Sequence, residues 1–241
     1  MMTFDDINGK FIQLHKLANE HLTPEAIELI TLPIPYEPKD ELYFNKLVSW
    51  GYSLIVESFP VLFKRLTGQI RQSDNEAFQQ IEKSQKIIHA LRTIQSHNMP
   101  KNVPENIKKI NLIDIWYEQN APDPDGKWMD ACNALCKMLF TILSKLYETL
   151  NSIISDSDNV KELTSKLISS IKKEWNAYSF DDYIERAAMD IGIVGMDIVS
   201  YRNNKIKEWR ALAALFDDSD TARSSVERKI KVDLVMTFGQ S

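Results

Sequence analysis

Apolar residues recur at steps of three and four along most of this 241-residue chain. That spacing gathers them on one face of a helix, whereas a strand would need strict alternation. The pattern is clearest over residues 127–155. Trp128, Cys132, Leu135, Leu139, Ile142, Leu146, Leu150 and Ile153 make one seam, and Cys136, Phe140, Leu143, Tyr147 and Ile154 make a second beside it. A helix apolar over so much of its circumference lies centrally in a core or serves two interfaces. The second interface is expected to be the C-terminal helices or another subunit.

Earlier segments carry narrower stripes. Phe4, Ile7, Phe11, Leu14 and Leu17 predict a helix over 4–22, and Thr23-Pro24-Glu25-Ala26 predicts a short second helix that completes an N-terminal hairpin. Leu32-Pro33-Ile34-Pro35-Tyr36-Glu37-Pro38 reads as a stiff, extended connector. From Asp40 to about Ile70, Leu47, Leu54, Leu62 and Leu66 form a stripe flanked by Val48, Ile55, Phe59 and Phe63, with a kink expected at Pro60. Glu57 sits beside that stripe. Ser73-Asp74-Asn75-Glu76 caps the next helix, residues 75–97, whose apolar face near its end is Ile87, Leu91 and Ile94.

Residues 98–124, with Pro100, Pro104, Pro122 and Pro124, read as a long irregular insertion holding a short helix over Ile110–Tyr117. After a break at Ser155-Asp156-Ser157-Asp158-Asn159, helical segments are expected near 159–175, 180–200 and 202–216, with a last one from about Thr221. Phe180, Ile184, Ala187, Ile191, Val194 and Ile198 give the middle segment an apolar face, on which Gly192 and Gly195 would permit close helix contact. The expected class is all-α, an up-and-down four-helix bundle in three parts. These are 1–38 (helices and connector), 39–155 (bundle with the 98–124 insertion) and 156–241 (helical extension).

Composition narrows the picture. No run of eighteen apolar residues is present, so no membrane span is expected. Met1-Met2-Thr3-Phe4-Asp5-Asp6 lacks the basic flank and apolar core of a secretory signal, so a cytoplasmic protein is expected. Cys132 and Cys136 lie four apart in a helix with no histidine pair nearby, which predicts buried reduced thiols and no zinc site. Asp123-Pro124-Asp125-Gly126 has the chemistry of a turn and lacks the further oxygen ligands of a calcium loop. No metal and no cofactor is expected. The net charge of −5 disfavours nucleic-acid binding by the whole surface, so any such binding needs a local basic patch. Lys101, Lys108 and Lys109 in the insertion, with Lys127 beyond it, supply the candidates.

The candidate chemistry lies at the end of the 75–97 helix, in Leu91-Arg92-Thr93-Ile94-Gln95-Ser96-His97-Asn98. On a continuous helix Arg92 and His97 would be rotated apart by about 140°. They converge only if the helix ends between them, as Asn98 (a residue that tolerates a left-handed helix end) and Pro100 suggest. Arginine stays charged and matches phosphate oxygens with two prongs. Histidine is the side chain that ordinarily titrates near neutral pH. Glu57, on a neighbouring helix, is a candidate for orienting either, and Thr93, Ser96 and Asn98 could add hydrogen bonds.

This Arg-x4-His at the end of a bundle helix resembles the motif of the HEPN superfamily, many of whose members are metal-independent ribonucleases of toxin–antitoxin, abortive-infection and CRISPR systems. The resemblance implies a HEPN-type bundle that cleaves single-stranded RNA through the substrate's own 2′-hydroxyl. Arg92 would hold the scissile phosphate and His97 would move the proton. It also implies a homodimer that brings two motifs to one cleft, with RNA and an antitoxin or regulatory protein as partners. In the subgroup whose motif continues as His-x-Tyr, the tyrosine is modified by a partner nucleotidyltransferase; Met99 stands there in this chain. The competing expectation is a non-catalytic helical dimerisation or binding module holding a nucleotide or a partner protein. His89 could line the cleft, whereas His15 and His21 are isolated and carry no assignment.

Overall fold

The computed structural model describes residues 2–120, 128–155, 161, 164–168, 175, 177–216 and 218–239. Their regular elements are all helices, with no strand among the described residues. The chain divides into two compact units, Met1–Ser165 and Lys166–Ser241. The expected boundary at 155/156 thus moves to 165/166. The turn expected at Asp123–Gly126 and most of the break after Ser155 lie outside the described residues.

In the first unit, helix α1 (Phe4–His21) begins with a capping box. Asp6 N–H donates to Thr3 Oγ1, and the Asp6 carboxylate accepts from Thr3 N–H. Phe4, Ile7, Phe11 and Leu14 are buried as the stripe predicts, but the fifth core position is Ala18, with Leu17 only half-buried. The second helix of the expected hairpin is a single 3₁₀ turn, Pro24–Ala26, because Ile27 turns extended directly after it. α1 packs along the helix Trp128–Ser155, so the N-terminal helix belongs to the core of the first unit and is no appendage to it.

Helix α2 (Glu41–Tyr52) starts at Asp40, whose carboxylate accepts from Tyr43 N–H. The 40–70 pattern breaks where a kink was expected. Ser53–Ser58 winds as a π turn, Phe59 leaves helical geometry at φ −154° and ψ 56°, and Pro60 opens a new helix, α3 (Pro60–Ser73). The proline fits the first turn, where its missing N–H leaves nothing unpaired, and would have clashed within a continuous helix. The predicted stripe of Leu47, Val48, Leu54, Ile55, Phe59, Leu62, Phe63 and Leu66 is buried throughout.

Helix α4 (Asn75–Ser96) is capped by Asp74, which accepts from Ala77 N–H and pairs with Lys145 at 2.8 Å. Residues 98–124 are not an irregular insertion, since most of them form a regular helix, α5 (Pro104–Asn120). Pro100 lies before that helix and Pro104 takes its first position, so neither interrupts it. Ile113 and Trp116 are its buried residues; the helix packs on α4, and Trp116 stacks on Phe44 of α2 at 6.1 Å. Helix α6 (Trp128–Ser155) is the centre of the unit and contacts α1, α2, α3, α4 and α5. Its two stripes were legible for this reason. α2 approaches it so closely at Gly51 that a Cβ there would lie 3.0 Å from Leu139 Cδ2. Cys132 and Cys136 are free and buried, and burial pushes the Cys132 thiol up to about 12.

The second unit holds α7 (Asp181–Asp190), α8 (Ile198–Ala213) and α9 (Ser219–Phe238) around Phe180, Ile184, Trp209, Val226, Ile230 and Leu234. The helix expected over 180–200 stops at Asp190. Gly192 and Gly195 take positive φ of 74° and 77°, conformations that only glycine adopts freely, and nothing approaches within 4 Å of where their Cβ would be. They make a turn, not a close helix contact, and Val194 between them is 95% exposed. No described helix in either unit is long and apolar enough to cross a membrane.

Candidate functional site

The two ends of α4 have different surroundings, and the C-terminal end is where the motif lies. His97 is the residue that ends the helix. Its N–H still bonds to Thr93 O at 3.0 Å, but its φ of −132° and ψ of 146° are extended. The stop is therefore an extended His97 and not a left-handed Asn98; no described non-glycine residue has positive φ. Ser96, His97 and Asn98 all lie exposed.

Arg92 faces a groove of about 370 Å³ between α2, the π turn, the Pro-rich connector and α4. Its walls are Leu32, Pro33, Asn45, Lys46, Ser49, Tyr52, Glu57 and Arg92. The structure thus brings together Arg92 and Glu57, two candidates thirty-five positions apart. His97 is not part of the wall. The π turn carries Glu57, and one wide turn of this kind offsets the helix face and is frequent at functional sites. Reciprocal bonds hold the turn to the start of the connector: Glu28 N–H donates to Ser58 O at 2.8 Å, and Ser58 Oγ donates to Glu28 O. Arg92 makes no ion pair among the described residues, so its guanidinium is available to an incoming anion.

His89 stands one turn before Arg92, and three residues along a helix leaves them on neighbouring sides. Its ring packs against Tyr52 of the groove wall, with centroids 5.8 Å apart. Partial burial, with the positive charge of Lys109 adding to it, holds its imidazole below the ordinary value of 6.5. Thr93 Oγ1 donates to His89 O at 2.7 Å, so this candidate spends its hydroxyl on its own helix. Lys109 Nζ comes within 3.5 Å of that hydroxyl from α5.

Of the candidate lysines among the described residues, Lys109 alone has a contact with this end of α4, and Lys127 lies outside the described residues. Lys108 pairs with Glu105 at 2.7 Å on an exposed face, and Lys101 lies exposed in the turn before α5. The cation that the motif-based reading missed is Lys46, in the groove wall beside Arg92. A signal existed. Asn45, Ser49 and Tyr52 recur at steps of four and three on α2 with Lys46 beside Asn45, a polar stripe that faces a wet surface. No group of three or more His, Cys, Asp or Glu able to hold a metal ion occurs among the described residues.

A second groove, of about 390 Å³, lies between α4, α5 and α6. Lys83, Lys137 and Lys145 line it and no carboxylate does. Both described grooves thus carry lysine or arginine in their walls, although Lys145 is already paired with Asp74.

No family model matches this chain, and no curated protein and no solved structure is found to be similar to it.

Proposed function

We propose that this chain is a metal-independent endoribonuclease of HEPN type, cleaving single-stranded RNA in a prokaryotic defence or toxin system and acting as a homodimer. The observation that carries this reading is an unpaired Arg92 in an open groove, on the helix whose end presents His97. On this reading α2 to α6 supply the bundle, and the motif occupies the end of one of its helices.

Cleavage of this kind needs a cation for the charge that develops on phosphorus and a group that accepts or donates a proton near neutral pH. Arg92 supplies the first, and Lys46 adds a second positive charge in the same wall. His97 supplies the other, being exposed at the helix end where substrate can reach it. General acid–base help contributes roughly 10²–10⁴-fold. One histidine leaves one proton handler per chain. A second chain brings another His97, and Glu57 offers a carboxylate within the same groove. An antitoxin or regulatory protein would then act by covering the groove.

The test is cleavage of single-stranded RNA in the presence of chelator, with the product ends analysed. The wild-type chain leaves a 2′,3′-cyclic phosphate, and Arg92→Ala and His97→Ala each lose about 10²–10⁴-fold in rate. Undiminished cleavage by His97→Ala overturns the proposal. The second reading, a non-catalytic module that holds a nucleotide or a partner protein, is favoured by the apolar rim of the connector, where Leu29, Leu32, Ile34 and Tyr36 are exposed. It predicts binding with no turnover by the wild-type chain.

A further inference from the structure

We propose that Tyr36 and Lys46 form a base-stacking subsite at the mouth of the Arg92 groove, which holds one unstacked nucleobase beside the phosphate that Arg92 engages. This rests on the ribonuclease reading above and narrows its substrate to RNA whose bases are free at the site of cleavage.

Three observations meet at Tyr36. Tyr36 is 72% exposed, and Leu32 and Ile34 of the same connector are exposed with it, so the segment offers apolar surface to a ligand. The segment that carries it is anchored at both ends. The connector is tied at one end by the Glu28–Ser58 bonds, and at the other Lys39 Nζ donates to Asn133 Oδ1 at 2.7 Å and to Met2 O at 3.0 Å. Pro35, the residue before the ring, is buried. A segment anchored on both sides thus presents an exposed aromatic ring to an incoming ligand.

The third observation is Lys46, which is shared. Its ammonium lies 5.9 Å from the Tyr36 ring centroid, and the same side chain lines the groove that contains Arg92. An aromatic face joined to two cations is the pairing that a nucleotide unit needs: a flat base on the ring, its phosphates against the positive charges. Duplex RNA keeps its bases stacked inside and offers the ring nothing, whereas a single strand can splay a base outward.

The experiment separates binding from cleavage. A short 2′-O-methyl oligouridine has no free 2′-hydroxyl and cannot be cut by this chemistry, so its affinity is measured alone by fluorescence anisotropy. An abasic oligomer of the same length supplies phosphates without bases. Tyr36→Ala is expected to weaken oligouridine binding about tenfold and to leave abasic binding unchanged. Tyr36→Trp keeps wild-type affinity, and in cleavage of unmodified RNA Tyr36→Ala raises KM with kcat held. Wild-type oligouridine affinity in Tyr36→Ala overturns the subsite and leaves the ribonuclease reading standing; so does an equal loss on both oligomers. Failure of the ribonuclease reading has a different signature, no cleavage of unmodified RNA by the wild-type chain. A wild-type chain that neither cleaves RNA nor binds either oligomer removes both.

Discussion

Arg92 in the first unit and Arg202 in the second are the same side chain on helices of similar make-up, and their surroundings give them opposite uses. Arg202 is 6% exposed. Its Nη1 lies 2.6 Å from Asp181 Oδ2, and its guanidinium stacks on Tyr178 at 5.1 Å. That charge is already neutralised and its face covered. Arg92 is half-buried in a groove wall without a carboxylate partner. What makes an arginine available to phosphate is thus an empty side of the fork, which the residue type does not reveal. The polar stretch Tyr201-Arg202-Asn203-Asn204-Lys205 looks as basic in sequence as the motif does, yet its arginine holds the second unit together.

The contrast is broken most forcefully at Arg202. Arg202→Ala leaves the half-buried Asp181 without its partner, and its buried Oδ1 already lacks one. The second unit should lose about 3–5 kcal/mol of stability, seen in denaturant unfolding followed by tryptophan fluorescence. The double variant Arg202→Met/Asp181→Leu should recover most of that loss, because no charge is then stranded. A single-variant loss below about 1 kcal/mol would mean that the pair is solvated and that the two arginines do not differ as described.

Arg92→Ala should do the reverse. With no partner to strand, its effect on unfolding should stay within about 0.5 kcal/mol while RNA cleavage disappears. A large stability loss there would make Arg92 another structural cation.

The smallest effect sharpens the groove. His89 is held below its ordinary 6.5 by burial and Lys109, so between its folded and unfolded values the unfolded chain binds more protons. Its contribution to stability is present above the unfolded value and is lost as pH falls through the lower folded one. His89→Gln should flatten that part of the stability profile, and NMR titration of the ring should give a midpoint below 6.5. A midpoint above it would place the ring in a different environment from the one beside Tyr52.

Much of the fold was legible because burial follows periodicity. The first α6 seam, the 40–66 stripe and the α1 face are buried nearly residue for residue, whereas the second α6 seam is buried only at Cys136 and Leu143. The misjudged places share a cause, the reading of prolines and glycines. Pro104 looked like part of a loop and instead starts α5; Pro60 looked like a kink and starts α3; Gly192 and Gly195 looked like contacts and form a turn. Each of these residues restricts or frees the backbone without saying which neighbouring geometry will use it. At the candidate site, Arg92 and Glu57 were identifiable from the sequence. Lys46 and Tyr52 were legible only as members of a polar stripe on α2, and which groove that stripe lines was decided by the packing of α2 and the connector against α4.

The chain's own pattern determined that this protein is helical, which faces are apolar, and that a lone arginine and a histidine stand at one helix end. Those are local properties, set by side-chain spacing and backbone preference. Tertiary structure alone decided which cations stay unpaired, because pairing depends on what lies across from a charge after distant segments meet. It gave Arg202 an aspartate and left Arg92 facing an open groove.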